Sequence, residues 1–194
     1  MIELPFLHNF FYTDIPSNKD ELLHEIENSE LDKNQDFSWN TFCSLKLERL
    51  DLDKKIELFQ PSLSKFFQEL DIESQNVKLR LCGMWKNTYI KHAFQEIHDH
   101  TPHHFSGVLF LTDEQPGDSR FYFVNKYGSE IPQGWRKLRK NQRDSIANIL
   151  HAGRYWVKAE RGRIIFFPSY LMHGVTEHTS DKPRQTVSFN FDFL

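Results

Sequence analysis

The C-terminal run Arg184-Gln185-Thr186-Val187-Ser188-Phe189-Asn190-Phe191-Asp192 constrains this chain more than any other stretch. From Thr186 onward polar and apolar residues alternate strictly. An extended chain with that period puts Val187, Phe189 and Phe191 on one face and Arg184, Thr186, Ser188, Asn190 and Asp192 on the other. A half-buried strand normally turns such a polar face to water, but in a small barrel it can line a ligand cavity. A second apolar run, Arg163 to Phe167, is β-branched and aromatic and ends in Pro168-Ser169, with His173 just beyond.

A third stretch carries chemistry. In Ile97-His98-Asp99-His100-Thr101-Pro102-His103-His104, followed by Phe105 to Leu111, imidazoles crowd the start of an apolar segment. Residues two apart on an extended chain share a face, so His98 and His100 point one way and Asp99 the other. Neutral imidazole is the commonest metal ligand, and two on one face make half a site. His173 is the candidate third ligand.

Short strands dominate the C-terminal half: Val77–Ile90, with Val77, Leu79, Leu81, Trp85, Asn87 and Tyr89 assigned to one face, then Phe121–Val124, Tyr155–Val157, Ile164–Phe167 and Thr186–Phe193. Phe42–Leu50 adds an earlier one, and Ile2–Phe11 reads as a strand or extended cover. Two helices precede most of them. One is capped by Ser17 with Asp20 in a capping-box position. The other carries Ile56, Phe59, Leu63, Phe66, Phe67 and Leu70 as one stripe, with a kink or fresh start expected at Pro61. This order predicts a mainly β fold with supporting helices, antiparallel because the spacers between late strands are too short for helical crossovers. Eighteen phenylalanines suit such a core. At 194 residues one domain is expected over 1–194, with 1–76 as support and 77–194 as the core, interrupted by an insertion at 126–153.

A net charge of −3 gives no indication of nucleic acid or membrane. The N-terminus lacks the basic and apolar regions of a signal peptide, and no run approaches a membrane span, so a soluble cytoplasmic protein is expected. Cys43 and Cys82 have no CxxC spacing; they could form one disulfide, but two buried free thiols in a reducing compartment are the favoured reading.

The arrangement His98-x-His100, Ser106-Gly107-Val108-x-x-Leu111, Phe167-Pro168-Ser169-x-x-x-His173 and Arg184 followed by Ser188-Phe189-Asn190-Phe191 resembles the small iron(II)/2-oxoglutarate-dependent oxygenases, most of all a bacterial and phage group. The resemblance covers roughly Trp85 to the C-terminus. It implies a double-stranded β-helix, the jelly roll of the cupins. It also implies an Fe(2+) centre, 2-oxoglutarate as co-substrate and O2 as oxidant, with His98 and His173 as first and distal ligands. Arg184, 11 residues past His173, matches the family's grip on the distal carboxylate of 2-oxoglutarate, a task that suits a planar, permanently charged fork. Thr186 or Ser188 would add a hydroxyl, and Asn87 and Tyr89 would face the same cavity. The default outcome in the family is hydroxylation, with succinate and carbon dioxide released.

The middle ligand departs from the wider superfamily, which places Asp or Glu where this chain has His100. Three readings stand: His100 ligates, Asp99 ligates after a local twist, or the position is left to water or halide. An alternative function is a three-histidine cupin with a binding role or other non-2-oxoglutarate chemistry; Arg184 and its polar face discriminate against it. His103 and His104 either line the substrate side or face solvent, His92 and His178 are expected at the surface, and Trp85 in the core. Gly107 is expected where backbone or a ring packs closely. The basic stretch from Lys126 to Arg143 is either a solvated loop and helix or a lid that draws in an anionic substrate. The substrate class expected is a small molecule or a peptidyl residue; its identity and the oligomeric state are not encoded legibly.

Overall fold

The computed structural model describes residues 10–31, 45–50, 56–73, 77–125 and 153–194. Its elements in order are β1 (Tyr12–Asp14), α1 (Lys19–Glu27), β2 (Lys46–Arg49), α2 (Ile56–Glu69), β3 (Leu79–Tyr89), β4 (Gln95–His98), β5 (Phe105–Phe110), β6 (Phe121–Val124), β7 (Arg154–Trp156), β8 (Ile164–Pro168), β9 (His173–Val175) and β10 (Arg184–Phe193). They form a six-stranded sheet, β1-β8-β5-β10-β3-β2, and a four-stranded sheet, β4-β9-β6-β7. Every ladder between these strands is antiparallel. From β4 onward the chain passes repeatedly between the sheets, as the double-stranded β-helix requires.

The larger sheet is covered on both faces, and the alternation of its strands shows how. On β8, Ile164 and Phe166 join one apolar cluster while Ile165 and Phe167 join another. The first cluster holds the helices: Leu22, Leu23 and Ile26 from α1, and Phe59, Leu63, Phe66 and Phe67 from α2, against Val187, Phe189 and Phe191 of β10. The second lies between the sheets, with Val108, Phe110, Phe121, Phe123, Phe167 and Val175. Each phenylalanine fully buried this way contributes about 1.5–3 kcal/mol. Gly107 sits where the ring of Phe189 crosses β5; a Cβ there would lie 2.0 Å from that ring, so only glycine fits.

Several expectations need correction. The odd-numbered residues of β3 do not share one face. Asn190 pairs with Gly83 but Phe191 with Leu81, so Cys82 is an extra, bulged residue. A bulge flips the alternation: Leu79 and Leu81 pack on the helical cluster with Met84, while Trp85, Asn87 and Tyr89 pair with Ser188, Thr186 and Arg184 on the opposite face. The α1 cap position is Asn18, not Ser17. It makes no side-chain cap bond, and its Nδ2 donates instead to Leu58 O at 3.1 Å, tying α1 to α2. Helix α2 runs through Pro61 without restarting. His178 is fully buried, not at the surface. Its Nδ1 accepts from Ser119 N at 3.1 Å and its Nε2 donates to Lys182 O at 2.7 Å. His92 is exposed as expected. Cys43, most of the Ile2–Phe11 stretch and residues 126–152, including the basic insertion, lie outside the described residues.

Candidate metal and 2-oxoglutarate site

Strands β4 and β9 position the first two imidazoles. His98 and His173 are direct cross-strand partners, so their side chains leave the sheet on the same side; the ring centroids are 4.3 Å apart. Glu96 and Ile97 together oppose the single residue Gly174 between the pairs Gln95–Val175 and His98–His173. The chain then leaves the strand and turns, and His100 N donates to Ser169 O at 2.8 Å, anchoring the turn to the end of β8. That brings His100 Nε2 to 3.2 Å from His98 Nε2. One nitrogen from each of the three rings lies within 4.8 Å of the other two.

The opposite nitrogen of each ring fixes the tautomer. Nδ1 of His98 donates to Glu96 O at 2.7 Å, and Nδ1 of His173 to Leu171 O at 2.8 Å. Nδ1 of His100 donates to Asn190 Oδ1 at 2.9 Å, with Ser106 Oγ at 3.0 Å. All three Nδ1 atoms thus carry the proton, and all three Nε2 atoms present lone pairs to a common point. Two such lone pairs facing each other at 3.2 Å repel unless a cation lies between them, so this donor set fits a divalent metal. Protonation does not relieve the repulsion. Burial pushes the pKa of His98 down, that of His100 to about 4, and that of His173 well below the usual value.

Asp99 does not join the group. Its Oδ1 accepts from Thr101 N at 3.0 Å and Thr101 Oγ1 at 2.7 Å, and the Thr101 hydroxyl holds its pKa low.

Arg184 opens β10 opposite Tyr89 and is only 1% exposed. Its guanidinium carbon is 5.1 Å from the Tyr89 ring centroid and 5.5 Å from that of Phe110. Nη1 reaches Ser119 Oγ at 3.4 Å, but Nε and Nη2 are buried with no hydrogen-bond partner among the described residues. Burying a cation without pairing its donors is expensive, and a bidentate carboxylate would complete it. Arg184, Thr186, Ser188 and Tyr89 line one pocket with His98, His100 and His173. Asn87 lies behind that wall. Its Nδ2 donates to Thr186 Oγ1 at 3.1 Å and Ser188 Oγ at 2.9 Å, which leaves both hydroxyl protons available to an anion in the pocket.

More than half of the chain, residues 83–190, matches the family described as "Putative 2OG-Fe(II) oxygenase". The chain belongs to the 2OG-Fe(II) oxygenase family. Its cofactors are therefore iron(II) and 2-oxoglutarate, with dioxygen as the oxidant. No curated protein matches the sequence. Among solved structures, the oxygenase is similar to HygX from Streptomyces hygroscopicus with nickel and 2-oxoglutarate bound. That match has 14% identity and a TM-score of 0.54, covering 94% of this chain and 82% of that one. A Pseudomonas putida prolyl-4-hydroxylase is also similar, at 13% identity and a TM-score of 0.56, covering 94% and 91%. So is the non-heme carbocyclase SnoK from nogalamycin biosynthesis, at 13% and 0.53, covering 93% and 78%. At such identities the likeness shows the fold.

Some residues at the candidate site were not among those the sequence singled out. Trp85, expected in the core, is partly exposed with its ring centroid 5.5 Å from that of His100. Gln95, which accepts from Tyr89 OH at 3.1 Å, lines the pocket. Ser106 pairs with Asn190 across the β5–β10 ladder, and the Ser106 hydroxyl bonds Asn190 Oδ1 at 2.8 Å and Ser169 Oγ at 2.7 Å. The available signal was polarity at a core strand position: a serine inside Phe105–Phe110 needs a buried partner.

Proposed function

We propose that this oxygenase holds its iron through His98, His100 and His173, and binds 2-oxoglutarate with Arg184 at the distal carboxylate. One observation carries the reading: three converging Nε2 lone pairs share a pocket with a buried guanidinium, two of whose nitrogens have no hydrogen-bond partner among the described residues. When bound, iron and 2-oxoglutarate supply the oxidising chemistry, in which the co-substrate is decarboxylated to succinate and the substrate is hydroxylated.

The chain's own residues bind, orient and exclude water. Thr186 and Ser188 donate their hydroxyl protons to the co-substrate, and Asn87 sets their direction. Tyr89 and Phe110 flank the guanidinium, and Phe121 and Phe167 pack around His173 at ring distances of 5.4 and 4.9 Å. This dry surround strengthens the carboxylate–guanidinium pair. Asn190 and Ser106 hold His100 in its ligating tautomer.

The substrate class is a small molecule or a peptidyl residue. The fold supports both: one HygX structure contains hygromycin B, and another similar structure is a prolyl-4-hydroxylase. An anionic substrate is favoured by the basic residues between Lys126 and Arg143. The test is anaerobic addition of iron(II) and 2-oxoglutarate, which should give a weak visible charge-transfer band. Arg184→Met should lose that band at co-substrate levels that saturate the parent protein. An unchanged band in that variant would overturn the assignment of Arg184.

A further inference from the structure

A second group of donors gathers at Asp192, on different side chains from the three imidazoles. Cys82 Sγ donates to Asp192 Oδ2 at 2.9 Å. His103 Nδ1 lies 3.3 Å from Asp192 Oδ1 and 3.4 Å from Oδ2. One ligand atom from each of the three residues lies within 4.8 Å of the others. We propose that Cys82, His103 and Asp192 form a second cation site, selective for a thiophilic divalent ion of the zinc class, with water in the fourth position.

The donor chemistry supports this. One thiolate sulfur, one imidazole nitrogen and one carboxylate oxygen is a borderline-soft set, suited to a tetrahedral ion. Around such an ion the ligand atoms stand roughly 3.3–3.6 Å apart; here the carboxylate lies 2.9 Å from the sulfur and 3.3 Å from the imidazole nitrogen, and all three ligand atoms lie within 4.8 Å of one another. The three residues come from separate places: the bulge of β3, the turn after His100, and β10. The bulge makes Cys82 an extra residue between the pairs Gly83–Asn190 and Leu81–Phe191, and its thiol reaches the Asp192 carboxylate. Bulges recur where a strand must re-aim a side chain. The site is reachable from solvent, with side-chain exposures of 31% for His103 and 15% for Asp192.

Two other residues now touch this carboxylate, and one of them, His104, also holds its ring Nδ1 3.7 Å from Oδ1. His104 N donates to Oδ1 at 3.2 Å and Arg80 Nη2 to Oδ2 at 3.3 Å. The backbone bond can stay. The Arg80 side chain is 62% exposed and can swing into water as the ion takes over its charge-balancing role. Binding replaces the S–H bond of Cys82 by a metal–sulfur bond and releases that proton to solvent, while His103 takes its Nε2–H tautomer.

Cobalt(II) tests the site without reference to activity, because a thiolate gives it an intense near-ultraviolet charge-transfer band that imidazole and carboxylate do not. Metal-free full-length protein should take up more than one Co2+ per chain and show that band. Zinc should bleach it. Cys82→Ser and His103→Ala should each lose it, while Cys43→Ser keeps it. His173→Ala, which removes a proposed iron ligand, should also keep it, so failure here is separate from failure of the iron assignment. Absence of the band, or its survival in Cys82→Ser, would overturn the proposal.

Discussion

At the scale of single residues, the site depends on which nitrogen of each imidazole carries a proton. Asn190 sets this for His100, because its Oδ1 accepts from His100 Nδ1 at 2.9 Å and from Ser106 Oγ at 2.8 Å. Asn190→Leu should therefore weaken metal binding by about 10- to 100-fold, the usual cost of losing a partner behind a ligand; nickel titration followed by calorimetry measures it. Arg184 makes a different demand. Arg184→Met keeps much of the side-chain volume and removes the charge-assisted bonds, which are worth about 1.5–3 kcal/mol each. The KM for 2-oxoglutarate should rise by at least about tenfold with little change in metal affinity. Equal losses of both would mean that Arg184 supports the fold and does not grip the co-substrate.

The same residues set a pH dependence of stability for the metal-free protein. Burial, with neighbouring His98 next, lowers the pKa of His100 to about 4, and burial lowers those of His98 and His173. Below the ordinary histidine value of about 6.5 the unfolded chain takes up protons that the folded chain refuses. Stability must then rise with pH between about 4 and 6.5 and be level in this respect above. His100 alone accounts for up to roughly 3 kcal/mol of that rise. Urea unfolding of chelated protein at pH 5 and pH 7.5 should show the pH 7.5 sample more stable. Equal midpoints would mean the three rings are not buried together.

At the scale of elements, legibility followed length and apolar content: the four-residue β6 was legible because Phe121 to Val124 is wholly apolar and aromatic. The long strands β3 and β10 and the helix α2 announce themselves through period 2 or the 3.6-residue stripe. Three- and four-residue strands such as β4 and β9 are too short to show a period, yet they carry His98 and His173. The convergence of the three imidazoles was legible through residue types and their order, not through the strands beneath them. The Cys82 bulge left no sequence mark, because one extra residue in an eleven-residue strand still looks like alternation on either side. The burial of His178 is not legible either, because nothing in its sequence neighbours shows that Ser119 N and Lys182 O wait for its ring. Gly107 was legible, and it makes a sharp prediction for β5. Gly107→Ala drives a methyl into the Phe189 ring, 2.0 and 2.4 Å from two of its carbons. Overpacking of this kind typically costs about 1–3 kcal/mol. Thermal unfolding should show the loss; an unchanged midpoint would mean that the ring moves aside freely.

At the scale of the whole molecule, the proposed iron centre joins the two sheets. His98 and His173 belong to the four-stranded sheet, whereas His100 is held by Ser106 of β5 and Asn190 of β10, both in the six-stranded one. A metal bound by all three rings is a cross-link between layers that otherwise meet through the apolar cluster around Phe110, Phe121 and Phe167. Because the unfolded chain presents no such triad, binding adds to folding stability by mass action, about 2.7 kcal/mol when free metal is a hundredfold above its Kd. For a chain of this size that corresponds to a rise in Tm of roughly 5–10 °C. Nickel(II), which cannot turn over, should give this rise, and 2-oxoglutarate should add to it only when metal is present. His173→Ala should abolish the triad's share of both effects, which is measured with Cys82→Ser in the background so that the second group of donors contributes nothing. A Tm that nickel leaves unmoved in Cys82→Ser protein would mean that the three imidazoles do not close on one ion, and the role of Arg184 beside them would fall with that.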